Sequence, residues 1–147
     1  MALIVQKNLF RTFVQSMHDE GLINNDFNQV LAMRETVKRD YVVRTVTSYC
    51  MSTEALFTHM TCLISQPMVD YLQIDAGARE LFTRATGVGA ERVKLACTEL
   101  VQACEQNNME NCYRALYWAK TEYSKLRRKF ETLVQMERKI IDLESGF

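Results

Sequence analysis

Residues 109–133 read MENCYRALYWAKTEYSKLRRKFETL. Within them Cys112, Leu116, Ala119, Tyr123, Leu126, Phe130 and Leu133 follow one another in alternating steps of four and three. Seven residues make close to two turns of α-helix, so these side chains form one stripe, as in a helix laid along the seam of a bundle. The spacing predicts a helix over about 109–143, roughly 50 Å long at 1.5 Å per residue.

The same reading extends backwards. A helix over about 90–106 places Val93, Cys97, Leu100 and Cys104 inward, and Asn107 and Asn108 turn the chain into the last helix. Gly87 and Gly89 break the chain before it. The helix before them is expected over about 67–86, with Pro67 at its first position, where a missing N–H costs nothing. A third helix, about 39–64, carries Val42, Val46, Tyr49, Thr53, Leu56, Met60 and Leu63 in four-three steps. Two more precede it: about 2–20, with Val5, Leu9, Phe13 and Met17 on one face and Gly21 at its end, and about 25–36, with Phe27, Val30 and Leu31 inward and Asn24 or Asn25 as its cap. Short connections between long helices force antiparallel neighbours. The expected fold is therefore all-α: helices 3–6 form an antiparallel up-down four-helix bundle, with two additional N-terminal helices on one end or side. The 147 residues are read as a single domain, 1–147.

Composition narrows the function. Only five Gly and one Pro occur, too few for the turns of an all-β fold. Lys plus Arg and Asp plus Glu number 18 each, without the basic excess of a dedicated nucleic-acid binder. The start, MALIVQKNLF, is interrupted by Lys7, Asn8 and Arg11, and reads as neither a secretory segment nor a membrane span. A soluble intracellular protein is expected. Five cysteines, none in CxxC spacing, suggest no metal site, and Cys97, Cys104 and Cys112 are expected to be small apolar core residues. No Ser-His-Asp or Cys-His arrangement and no phosphate-cradling loop is present, so neither an enzyme nor a bound cofactor is expected. The run Lys125 to Lys129 is read as a solvated helix face paired with nearby glutamates.

The fourth helix is the informative one. At 100° per residue, Ile74, Ala78, Leu81, Ala85 and Val88 cluster on one side as a core stripe. Leu72, Asp75, Ala76, Arg79, Phe82, Thr83 and Thr86 fall on the other. Stray apolar residues are common on surfaces. An outward Leu and Phe beside an Arg also suit a flat docking patch, since aromatic residues and Arg are favoured at interfaces.

Residues 89–133 carry a resemblance. Gly89, Ala90, Arg92, Val93, Lys94 and Cys97, then Cys104, Glu105, Gln106, Asn108, Cys112, Lys120, Glu122 and Tyr123, match the C-terminal half of plant histidine-containing phosphotransfer proteins. Upstream, DYVVRTVTSYC at 40–50 and the stretch from Gly21 to Val30 resemble the same family. The family's active motif reads His-x-Leu-Lys-Gly-Ser-Ser-Ser-Ser-Ile-Gly-Ala. Aligned on Gly89 and Ala90, this chain reads RELFTRATGVGA from Arg79. Arg79 then falls at the phosphoacceptor position, Phe82 at the Lys and Thr83 at the Gly.

A relay histidine attacks through a ring nitrogen with a free lone pair, whereas a guanidinium is always protonated and offers only donors. The resemblance therefore implies a non-catalytic member, without a phosphoacceptor, that docks the receiver domains of sensor histidine kinases and of response regulators. It further implies a monomer that dampens cytokinin-type signalling in cytoplasm and nucleus, with no nucleic-acid or membrane partner. The alternative is a helical scaffold that no longer binds receivers, because Met51 and Ser52 replace an acidic pair on the third helix and Arg84 replaces a small residue. The two histidines, His18 and His59, are read as surface or rim residues.

Overall fold

The computed structural model describes residues 1–146; Phe147, the last residue of the single domain read from sequence, lies outside them. Six helices follow in order: α1 (Ala2–Asp19), α2 (Asn25–Thr36), α3 (Tyr41–Ile64), α4 (Tyr71–Val88), α5 (Glu91–Glu105) and α6 (Met109–Glu144). No strand occurs among the described residues. Helices α3 to α6 make the bundle: α5 packs between α4 and α6, α3 closes the ring against both, and α4 and α6 lie on opposite corners. α1 packs along α6, and α2 bridges α3 and α4.

The heptad stripe of α6 forms the centre of the core. Cys112, Leu116, Ala119, Tyr123, Leu126, Phe130 and Leu133 are all buried, and Phe130 stacks on Phe27 of α2 with centroids 5.6 Å apart. Burying such side chains contributes on the order of 1.5–3 kcal/mol each relative to exposure. Cys97, Cys104 and Cys112 are core residues as read, and burial pushes the thiols of Cys97 and Cys104 up to about 12.

Three details of the sequence reading need correction. Pro67 does not begin α4. It lies in the connection, and the helix starts after Asp70, whose carboxylate accepts from the Gln73 amide at 3.2 Å and so caps the first turn. α4 also runs through Gly87, and only Gly89 ends it, in the left-handed conformation at φ 68°. On α1, Val5 and Leu9 are each 49 % exposed, while Val14 and Met17 are buried and Phe10 and Phe13 pack partly against the core. Successive steps of four residues drift about 40° around a helix, so the line from Met17 back to Val5 winds off the packed side.

Gly89 fixes the end of the bundle that carries the α4–α5 turn. Its carbonyl accepts from the Asn24 amide at 2.9 Å, and a Cβ there would lie 2.6 Å from both Asn24 Oδ1 and the Phe27 amide nitrogen. The Asn24 side chain caps α2 at the Asp26 amide and donates to Glu91 at the head of α5 at 2.6 Å. The α4–α5 turn and the start of α2 are thus one locked junction, and it sets the rotation of α4 on the bundle.

Candidate functional site

α4 buries Ile74, Gly77, Ala78, Leu81, Ala85 and Val88. Gly77 belongs to this stripe because Met60 of α3 sits 3.0 Å from where its Cβ would be, so the missing side chain brings α3 and α4 close together. The opposite side carries the seven residues singled out from sequence. Leu72 is 83 % exposed, Ala76, Arg79 and Thr83 are exposed, and Asp75, Phe82 and Thr86 are half-buried. Phe82 is thus less outward than its angle on the helix suggested: it packs against the core, and Lys94 of α5 covers its ring at 5.9 Å.

Arg79 stands in the middle of this face. Its Nε donates to Asp75 Oδ2 at 2.9 Å, one turn back, and its Nη2 donates to Glu105 Oε1 at 3.1 Å, on α5. The hydrogen bond and charge of Asp75, seconded by Glu105, raise an already high pKa, so the side chain is a permanent cation. Thr83 donates its hydroxyl to the Arg79 carbonyl at 3.1 Å and Thr86 donates to that of Phe82 at 2.8 Å, so both hydroxyls fold back on the helix. Arg84 is held by Glu80 at 3.0 Å. The result is a shallow face with a central arginine, an apolar end at Leu72 beside the 89 % exposed Met68, and a lysine-covered phenyl ring at the other end.

Lys94 and Glu105 were read from sequence only as residues of the resemblance and not as part of this face, and Met68 was not singled out. The one signal for Lys94 was its place in the first turns of α5, close to the turn that α4 enters six residues after Phe82. Glu105 had none, because its reach to Arg79 depends on how α5 is rotated.

His59 is exposed on α3, and His18 is half-buried, with Nε2 3.1 Å from Asn28 Oδ1. Lys125, Arg127 and Lys129 pair with Glu122, Glu131 and Glu20. Among the described residues no group of three or more His, Cys, Asp or Glu side chains is disposed to hold a metal, and no helix is long and apolar enough to cross a membrane.

The six-helix fold with an outward-facing fourth helix is similar, along nearly the whole chain, to solved plant histidine-containing phosphotransfer proteins. A histidine-containing phosphotransfer protein from rice superposes with a TM-score of 0.90 at 27 % identity, over 95 % of this chain and 99 % of that one. Histidine-containing phosphotransfer protein 1 of Arabidopsis thaliana is 28 % identical over 141 residues, 96 % of this chain and 92 % of the relative. Pseudo histidine-containing phosphotransfer protein 2 of Oryza sativa subsp. japonica is 25 % identical over 138 residues, 94 % of this chain and 86 % of the relative. No family model matches the sequence. The chain is a homologue of the plant histidine-containing phosphotransfer proteins, which are phosphorelay proteins and not classical enzymes.

Proposed function

We propose that this chain is a pseudo-phosphotransfer protein: it docks receiver domains of sensor histidine kinases and response regulators through the outer face of α4, accepts no phosphate, and so restrains the relay. The observation that carries the reading is Arg79, an exposed and permanently charged guanidinium at the centre of that face. Alignment on Gly89 and Ala90 puts it where the family has its phosphoacceptor histidine. A guanidinium has no lone pair to offer a phosphoryl group. By the same resemblance the relay is of the cytokinin type, the protein works as a monomer, and its place is the cytoplasm and nucleus.

A specific observation favours the second reading, a scaffold that has left receivers behind. Both cations nearest the centre of the face are already engaged within the chain, Arg79 by two carboxylates and Lys94 by the Phe82 ring. The first reading weighs more, because exposed ion pairs exchange readily for better partners.

The test is a phosphotransfer assay with a phosphorylated receiver domain, with binding to the same domain measured in parallel. The wild type is expected to bind and take no label, and Arg79→His to gain label. Label on the wild type ends the proposal. Absence of binding by both proteins selects the scaffold reading. Binding without label in Arg79→His assigns the remaining block to Phe82 and Thr83.

A further inference from the structure

The corner of the bundle opposite α4 carries a second surface. α6 has a heptad stripe beside its core seam, displaced by one residue: Tyr113, Tyr117, Lys120, Ser124, Arg127, Glu131, Val134 and Arg138 continue the four-three steps. Among the described residues it is exposed except at half-buried Lys120 and Val134. Tyr113 is 59 % and Tyr117 71 % exposed. Along the α3 side the stripe forms one wall of a continuous groove, with Thr47, Cys50, Met51, Glu54 and Thr61 on the other and Val46, Phe57 and Phe130 at its floor. From Val43 to Cys62 the groove follows α3 for about 28 Å at 1.5 Å per residue.

Its shape and charge specify an occupant. Two antiparallel helices lying side by side make a trough into which a third helix seats its side chains, so an extended peptide would leave the periodic hollows unfilled. Four cations line the groove, Arg44, Lys120, Arg127 and Arg138, against two carboxylates, Glu54 and Glu131, and Arg44 is paired with Asp40 at 3.3 Å. Both carboxylates are engaged: Glu54 accepts from the Tyr123 hydroxyl at 2.6 Å, and Glu131 pairs with Arg127 at 3.6 Å. Lys120 hydrogen-bonds the Thr61 hydroxyl, and Arg138 has no carboxylate partner among the described residues. The exposed apolar residues of α1, Ile4, Val5 and Leu9, are interspersed with Lys7 and Arg11, so α1 of a second copy would bring like charge to this rim.

We propose that the α3–α6 groove binds an acidic amphipathic helix of a partner protein, about five turns long, with its apolar stripe on Met51 and Val134 and its carboxylates on Lys120, Arg127 and Arg138. Because α4 and α6 occupy opposite corners, the groove and the α4 face can be filled together, and the chain would then bridge two proteins. This does not depend on what α4 binds.

The probe is a 20-residue helical peptide with Leu at a and d and Glu at e and g, beside the same peptide with Lys in place of Glu. Two native thiols report on the groove, half-buried Cys50 and exposed Cys62. The Glu peptide is expected to protect both from alkylation and to shift the Met51 methyl resonance. Arg127→Glu combined with Arg138→Glu should weaken it at least tenfold and reverse the preference towards the Lys peptide. Met51→Glu, at a position 70 % exposed and therefore tolerant of substitution, should weaken both peptides. Equal affinity for the two peptides, shifts confined to α4, no protection at either thiol, or self-association through the groove would each overturn the proposal.

Discussion

Arg34 and Arg79 each tie two helices together through carboxylates, yet they stand in opposite surroundings. Arg34 of α2 donates to Glu137 at 2.9 Å and pairs with Glu144, both on α6, and its side chain is only 12 % exposed. Glu137 is almost fully buried, and Lys7 of α1 reaches Glu144 at 3.5 Å, so three helices meet there. Arg79 makes the same kind of bridge from α4 to α5 with its side chain 58 % exposed. A buried cation cannot leave without stranding a carboxylate away from water, whereas an exposed one trades its partners for water at little cost. The first bridge holds the helices in place; the second is available for exchange with a docking partner.

The largest effect should come from Arg34→Ala. Removing the cation leaves Glu137 buried without compensation and should cost about 3 kcal/mol at neutral pH, read as a lowered urea midpoint with unchanged slope. Burial already raises the pKa of Glu137 against the pull of Arg34. The loss should therefore shrink in acid, where a protonated Glu137 no longer needs the cation. A change no larger than that of a surface substitution would erase the distinction between the two bridges.

Glu144→Gln should have a smaller effect that depends on pH. The hydrogen bond from Arg34 holds the Glu144 carboxyl below its ordinary value. Its stabilisation is therefore present above the ordinary carboxylate range and is lost as pH falls through the lowered value. Glu137, with its pKa raised, contributes in the opposite sense. Denaturation curves between about pH 3 and 5 should show the wild type losing stability on acidification and Glu144→Gln losing less. A steeper acid loss in the variant would mean that Glu144 is not the group responsible.

The smallest effect is expected for Arg79→Ala, with at most a small shift of the denaturation midpoint, because Glu105 is exposed and Asp75 is only partly buried. Its consequence should appear in partner binding alone. A clear loss of stability would move Arg79 to the structural side of the comparison.

Much of this molecule was legible before folding. Six helices lie within a few residues of where apolar spacing put them, because a repeat of 3.6 residues is a property of the chain itself. The largest boundary error, at Pro67, arose because two local signals competed and the Asp70 cap prevailed. On α4, the residues assigned to the inner side are buried and none of those assigned to the outer side is, though Asp75, Phe82 and Thr86 sit half-buried, Phe82 because its ring has a lysine and a core to pack against.

The amino-acid order by itself determined the helices, the seam they share, the turn at Gly89 and the presence of a guanidinium in the middle of α4, since each follows from periodicity or from the chemistry of one residue. The tertiary structure alone decided which charges meet. Arg34 and Glu137 are 103 residues apart, and Arg79 and Glu105 are 26 apart. Their encounters depend on the rotation and register of whole helices, set by core packing and by the junction of Asn24 with Gly89. The same packing left α3 and α6 apart enough to open a groove, because spacing along one helix carries no information about its distance from the next.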